Sequence, residues 1–151
     1  MPQSLSNVLV HLVFSTKERH PFLSDPALRV AMHRYLAVVS AQLHCPVIKV
    51  GGVEDHVHML ARQARTITLA GWVREIKRTS SLWVKELPEG SNVFQWQAGY
   101  RAFSVSQSQS AAVERYIAWQ EAHHRRVGFQ DEFRALLDLH QIAYDERYLW
   151  D

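Results

Sequence analysis

The chain has 151 residues, 47% of them hydrophobic and 21% charged, which are proportions of a folded globular protein and exclude a disordered one. It contains no run of about eighteen apolar residues and its first residues lack a basic n-region, so we expect neither a membrane span nor a signal peptide. The single Cys45 excludes an internal disulfide and fits a cytoplasmic setting, and a net charge of +2 is too small to indicate a nucleic-acid partner by itself.

The first half of the chain alternates strand and helix signals. Residues 8–14 form an apolar, β-branched run that is typical of a central strand. Asp25 followed by Pro26 predicts the start of a helix, because a capping side chain precedes a proline at the first helical position. Apolar residues recur at helical spacing as far as His44. Residues 47–50 and 57–61 are predicted to form two further strands.

The second half begins with another helix, predicted over residues 68–87, and continues with a long strand over 94–105. Two more helices are predicted over 111–124 and 129–140, before an irregular tail. The order strand, helix, strand, strand, helix, strand predicts the α+β, ferredoxin-like (split β-α-β) fold. We therefore expect an antiparallel sheet with helices on one face, and the additional helices at the C-terminus.

The segment His56-Val57-His58 lies in the third predicted strand. Side chains alternate between the faces of a strand, so both imidazoles point the same way, with Cα atoms roughly 6.5–7 Å apart. Both rings can then reach one cation. The alternative is a pair of hydrogen-bonded structural histidines, and the preceding acidic residues favour the metal interpretation. Two histidines leave a metal site incomplete, so a third ligand is needed.

Tyr116 and Gln120 are four residues apart in the predicted third helix, which places them on one helix face. From spacing alone, the simpler interpretation is a partly buried tyrosine and a solvated glutamine. Their combination with the histidine pair favours a functional role.

The ordered set of His56-Val57-His58, Phe94 to Tyr100 and Tyr116 to Gln120 resembles the single-tyrosine HUH transposases of the smallest bacterial insertion sequences. The REP-associated tyrosine transposases are close relatives of that family. The resemblance implies that His56, His58 and Gln120 bind a divalent ion, magnesium or manganese, and that Tyr116 is the nucleophile. It implies one transposase domain over residues 1–151, with a core of about 4–124 and a C-terminal helical extension of about 125–151.

The resemblance also implies a reaction and its partners. Tyr116 would attack a DNA phosphate, form a 5′-phosphotyrosine and later allow rejoining without ATP. The substrate would be single-stranded DNA with hairpins at the element ends. The active form would be a homodimer, in which the histidines of one subunit meet the tyrosine helix of its partner. Two alternatives stay open: a domesticated protein that binds hairpins without cutting, and a metal-dependent phosphoesterase that uses water.

A nucleic-acid substrate requires a positively charged surface. The predicted second helix carries four basic side chains on the face opposite its tryptophans: Arg74, Lys77, Arg78 and Lys85. An ordinary solvated helix face is the alternative, and the resemblance favours DNA contact. Single-stranded DNA also stacks on aromatic side chains, for which Trp96, Tyr100 and Trp119 are the candidates.

Overall fold

The structure is a computed structural model that describes residues 2–120, 128–147 and 149. Its strands are β1 (Leu9–Ser15), β2 (Val47–Gly52), β3 (His56–Arg62) and β4 (Arg101–Val105). Its helices are α1 (Pro26–Gln42), α2 (Leu69–Glu86), α3 (Ser110–Ala118) and α4 (Phe129–Leu139). Within these ranges, no helix has both the length and the apolar character needed to cross a membrane.

The four strands form one antiparallel sheet in the order β2-β3-β1-β4. This order, with α1 between β1 and β2 and α2 between β3 and β4, confirms the predicted ferredoxin-like fold. The side chain of Asp25 accepts a hydrogen bond from the Ala27 amide, so α1 begins where its cap and proline predicted. Thr68 caps α2 in the same way by accepting from the Gly71 amide.

One face of the sheet packs against α1 and α2. Alternate residues of the two central strands, Leu12 and Phe14 on β1 and Val57 and Met59 on β3, are fully buried there. Leu36 of α1 and Trp72 and Ile76 of α2 belong to the same core. Burial of apolar surface on this face stabilises the sheet by about 25 cal/mol per Å² removed from water.

The opposite face of the sheet carries the two histidines and is covered by α3 and α4. Ile117 of α3 packs against Leu9 and Leu60, whereas Phe133 of α4 packs against Val13 and Phe103. The register pairs Val13 with His58 and Ser15 with His56, which places all four side chains on this second face. The C-terminal helices therefore form a lid of packed side chains above the histidine pair.

The predicted long strand over 94–105 is too long. Only Arg101–Val105 pairs as β4, and residues 94–100 run irregularly past the end of β1. Within this segment Trp96 forms a single β-bridge with Thr16, and the half-buried ammonium of Lys77 donates hydrogen bonds to the carbonyls of Gln97 (2.9 Å) and Gly99 (2.7 Å). A side chain therefore satisfies these two carbonyls in place of a neighbouring strand.

The predicted third helix is also shorter than expected. α3 ends at Ala118, and Trp119 leaves helical geometry with φ −105° and ψ 22°. Gln120 therefore follows a break in the backbone instead of continuing one helix face from Tyr116, and residues 121–124 of the prediction lie outside the described residues. The predicted fourth helix is confirmed as α4.

Candidate active site and nucleic-acid surface

The histidine pair is completely buried on the α3/α4 side of the sheet. His56 and His58 have no exposed surface, and their ring centroids lie 5.3 Å apart. The strand places both rings on one face, as the alternation of β3 predicted. Burial of two imidazoles requires polar partners, because an unsatisfied polar group costs about 1–3 kcal/mol in a protein interior.

The ring of His56 is oriented by a carboxylate. Its Nδ1 lies 2.7 Å from Oδ1 of Asp55, whose Oδ2 is 3.3 Å from Nε of Arg19. Burial raises the pKa of Asp55, but the hydrogen bond from His56 and the charges of His56 and Arg19 together lower it below its usual value. The ionised carboxylate can only accept, so His56 donates through Nδ1 and its Nε2 carries the lone pair.

The ring of His58 is oriented by a second histidine. Its Nδ1 lies 2.9 Å from Nε2 of His11, which is 3% exposed on β1. Burial lowers the pKa of His11 to about 4, against an opposing effect of Glu132 and a further lowering by His140, so His11 is neutral near pH 7. If His58 donates this bond, its Nε2 also carries the lone pair.

The helix that carries Tyr116 packs directly on β2. At Gly51 a methyl group would lie 2.4 Å from the backbone oxygen of Ile117 and 2.9 Å from its Cγ2. Only glycine permits this approach, and Gly51 is paired with His58 in the sheet. The contact therefore fixes the tyrosine helix relative to the histidine strand, and the ring of Tyr116 lies 5.6 Å from that of His58.

The hydroxyl of Tyr116 donates a hydrogen bond to Oε1 of Glu132, a residue of α4 that is 5% exposed. The same oxygen lies 3.4 Å from Nε2 of His58. Burial, the negative charge of Glu132 and the hydrogen bond to it all raise the pKa of Tyr116 well above its usual value of about 10. Tyr116 is therefore a phenol at physiological pH, hydrogen-bonded to a carboxylate.

Gln120 returns to the site despite the break in the helix. Its side chain is 1% exposed, its Nε2 donates to the carbonyl of Tyr116 at 3.2 Å, and it also interacts with the Tyr116 side chain, where it opposes the rise in pKa. The structure thus places Tyr116 against His58 and His56 beside His58, with Gln120 in contact with Tyr116.

The donor set fits a divalent metal ion. Metal-binding histidines in proteins are typically held through one ring nitrogen by a carboxylate or another acceptor, which leaves the other nitrogen to the metal. His56 follows this pattern through Nδ1 and Asp55, and His58 follows it if its Nδ1 donates to His11. Among the residues that the structure describes, no three histidine, cysteine, aspartate or glutamate side chains converge to hold a metal ion. A third ligand near the pair would have to be of another type, as the amide oxygen of Gln120 is.

The site forms within one chain. Tyr116 contacts His11, His58 and Glu132 of its own chain. The homodimer implied by the resemblance, in which a partner subunit supplies the tyrosine, stays a prediction.

Two residues of the site were missed from the sequence. His11 belongs to no motif of its own, although its position two residues before Val13 places it on the face that carries the histidine pair. Glu132 lies within the apolar stripe of α4, beside Phe133 and Leu136. An acidic residue inside such a stripe is a signal, because carboxylates are rarely buried without a partner.

The basic residues of α2 divide into two groups. Arg74, Arg78 and Lys85 are exposed and succeed one another along one helix face. Arg78 is paired with Glu75 at 2.8 Å. Lys77 is instead half-buried against residues 97–99. Burial and, to a smaller extent, repulsion from Arg101 lower its pKa to about 8. The structure therefore separates Lys77 from the exposed stripe.

Of the three aromatic candidates for base stacking, Trp119 is accessible. Its side chain is 67% exposed, whereas Trp96 is 9% exposed and donates its ring N–H to Ser80. Tyr100 is half-buried, with the ammonium of Lys77 5.8 Å from its ring centroid. Core packing thus accounts for Trp96, and Trp119 lies next to Gln120 at the edge of the site.

One family model and two solved structures are similar to this chain. Residues 4–120 match the model of the IS200-like transposase family. A candidate transposase of Deinococcus radiodurans R1 has a similar fold, with a TM-score of 0.59, 21% identity, and coverage of 80% of this chain and 95% of that one. The REP-associated tyrosine transposase bound to a REP hairpin also has a similar fold, with a TM-score of 0.60 and 13% identity. The match covers 96% of this chain and 90% of that one. No curated protein sequence matches the chain.

Proposed function

Because the chain belongs to the IS200-like family of single-tyrosine HUH transposases, we propose that it cleaves and rejoins single-stranded DNA beside hairpins, through a 5′-phosphotyrosine at Tyr116. The observation that carries this proposal is the position of the Tyr116 hydroxyl, which bonds to Glu132 next to Nε2 of His58. A hairpin substrate is supported by the similar REP-associated transposase, which was solved with a REP hairpin.

The first step replaces one phosphodiester by another. The oxygen of Tyr116 attacks the phosphorus, the bond from phosphorus to the 3′ oxygen breaks, and the departing oxygen takes a proton from water to become a 3′-hydroxyl. The tyrosine proton passes to the carboxylate of Glu132, the acceptor of its hydrogen bond. The bond energy is retained in the phosphotyrosine, so attack by a 3′-hydroxyl reverses the step and joins DNA without ATP.

Transfer of that proton is necessary in this site. The raised pKa of Tyr116 keeps the phenol protonated at physiological pH, and a phenol is a poor nucleophile. Glu132 is buried and Tyr116 is half-buried, which limits the access of bulk water that would otherwise compete with the tyrosine for the phosphorus.

A divalent metal ion is part of the proposal. His56 and His58 would hold it through Nε2, with Gln120 as the third ligand. When bound, the ion supplies positive charge that offsets the growing negative charge on the phosphate oxygens. Imidazole nitrogens suit manganese better than magnesium, which prefers oxygen ligands, so we expect manganese to bind this site more tightly.

The exposed stripe of α2 is the proposed contact for the hairpin backbone. Arg74, Arg78 and Lys85 present positive charge along one face, and Lys17 adds to it beside a groove of about 590 Å³. Lys77 lies in the wall of that groove and braces residues 97–99, so any phosphate contact of its ammonium competes with two carbonyls. The homodimer implied by the resemblance stays a prediction.

The proposal is tested with a hairpin oligonucleotide that carries a 5′ single-stranded extension and a label. Incubation with the chain and manganese should yield a covalent protein–DNA adduct on a denaturing gel. Tyr116→Phe should lose the adduct, because the nucleophilic oxygen is absent, and His58→Ala should lose it because a metal ligand is absent. Loss of manganese should have the same effect as either substitution.

The remaining outcomes identify the two alternatives. Cleavage that survives Tyr116→Phe would mean that water is the nucleophile and that the chain acts as a phosphoesterase. Hairpin binding by the wild-type chain without any cleavage would mean a DNA-binding protein that has lost its chemistry. Either result contradicts the proposed role of Tyr116.

A further inference from the structure

A groove of about 470 Å³ runs along the protein beside the candidate active site. Its walls are α1, β2 and the end of α3, and it takes in both glycines that precede the histidine strand. The volume is within the range of about 300–1,000 Å³ that is usual for ligand sites. Apart from Gln120, none of its described lining residues takes part in the proposed mechanism.

The lining combines positive charge with an exposed aromatic ring. Arg29, His33 and Lys49 contribute basic side chains, and none of the lining residues that the structure describes is acidic. Trp119 contributes a ring that is 67% exposed, and Val30 an apolar side chain that is 56% exposed. Cationic side chains beside an aromatic face match single-stranded nucleic acid, which offers phosphates and unstacked bases at the same time.

The groove is continuous with the site through Gln120. This residue lines the groove, while its side chain bonds to the carbonyl of Tyr116 at 3.2 Å. Ile117 and Gly51 line the groove as well, and they form the contact that holds the tyrosine helix on the sheet. A strand lying in the groove would therefore run along the end of the helix that carries Tyr116.

We propose that this groove binds the single-stranded DNA that adjoins the scissile phosphate, with a base stacked on Trp119 and phosphates near Arg29 and Lys49. The inference rests on the proposed function, because it assigns a subsite for the substrate of that reaction. A second copy of the chain is a poorer occupant, since a basic groove would need an acidic partner surface. Duplex DNA is also poorer, because its bases are already stacked and leave no face for the tryptophan.

Fluorescence anisotropy in the presence of EDTA tests the groove without cleavage. The probes are a fluorescein-labelled oligothymidylate and the same strand with abasic sites, which retains every phosphate and lacks the bases. Trp119→Ala should bind the oligothymidylate about 5- to 160-fold more weakly than the wild type and the abasic strand equally well, because stacking of one base is lost. Trp119→Phe should restore most of the affinity.

Two further variants separate stacking, charge and general surface effects. Lys49→Gln should lower the slope of log affinity against log salt by about 0.7, the value for one phosphate contact on a single strand. Leu139→Ala is the matched control, since it shortens an apolar side chain that is 75% exposed and does not line the groove. It should bind both probes as the wild type does. A blunt hairpin without single-stranded extension should bind to the Trp119→Ala chain normally.

Three results would overturn the inference. The first is an unchanged affinity of Trp119→Ala for oligothymidylate. The second is an equal loss of affinity of this variant for oligothymidylate and for the abasic strand. The third is a changed oligomeric state of the variant in sedimentation with unchanged DNA affinity, which would assign the groove to a second copy. These results leave the adduct assay untouched. If the wild type forms the adduct and Trp119→Ala binds oligothymidylate as the wild type does, the groove is refuted and the reaction stands. If the wild type forms no adduct and Trp119→Ala binds oligothymidylate more weakly, the reaction is refuted and the groove stands.

Discussion

Replacement of Gly51 by alanine should displace the nucleophile without unfolding the protein. The added methyl group would lie 2.4 Å from the backbone oxygen of Ile117, whereas real contacts of this kind stay beyond about 3.0 Å. The difference, 3.0 minus 2.4, means that α3 must move by at least 0.6 Å. Overpacking of this kind costs about 1–3 kcal/mol of stability. A displacement approaching 1 Å at a reacting group slows catalysis by up to about 100-fold.

The measurement combines adduct formation with urea denaturation. Gly51→Ala should form the covalent adduct about 10- to 100-fold more slowly than the wild type. Its free energy of unfolding should be about 1–3 kcal/mol lower. Gly128→Ala is the matched control, because no atom of the described residues lies within 4 Å of its added methyl group and its backbone, with φ −64°, suits any residue. The control should resemble the wild type in both measurements.

A Gly51→Ala chain with wild-type kinetics would refute the reasoning. Such a result would mean that the packing of α3 on β2 does not set the position of Tyr116 during the reaction. Loss of stability without loss of rate would separate the two roles of the contact, since the helix would then find its productive position on binding DNA.

Three other predictions follow from the site and from α2. Glu132→Gln should slow adduct formation by about 10²- to 10⁴-fold, because the acceptor of the tyrosine proton is lost. Asp138→Asn, on the exposed face of α4, is the control and should leave the rate unchanged. A faster reaction of Glu132→Gln would mean that the carboxylate restrains the tyrosine. A mixture of Tyr116→Phe and His58→Ala chains should form no adduct, because the site lies within one chain, and restored activity would place it between subunits. The pKa of Lys77 is lowered from 10.5 to about 8, so the folded state loses its proton first and stability should rise with pH between these values. Lys77→Met should remove that rise in urea denaturation, and an equal rise in both chains would assign it to other groups.

The sequence predicted the parts of the site that depend on local geometry. Alternation along β3 placed His56 and His58 together because strand geometry leaves no other choice. Asp25 and Thr68 predicted the starts of α1 and α2 because capping depends on a few neighbouring atoms. Gln120 lies beside Tyr116, as the sequence predicted. The two residues do not share one continuous helix, as that prediction assumed, because the helix breaks at Trp119.

What could not be predicted depends on contacts between distant segments. The carbonyls of Gln97 and Gly99, in the irregular segment before β4, accept hydrogen bonds from the ammonium of Lys77, about twenty residues away along the chain. The bond between Glu132 and Tyr116 joins α4 to α3 over a separation of 16 residues. No periodicity contains such information, because each contact requires the tertiary fold that it helps to complete.

The position of Glu132 has a consequence for the way intact copies of such a gene are recognised. The residue lies on α4, beyond the span 4–120 over which the family is matched. A frameshift or stop codon shortly after residue 120 would leave every recognised motif in place and remove the group that bonds to the nucleophile. Surveys of genomes that count motifs alone would then report decayed copies as active ones, and the reading frame through Glu132 is the better criterion.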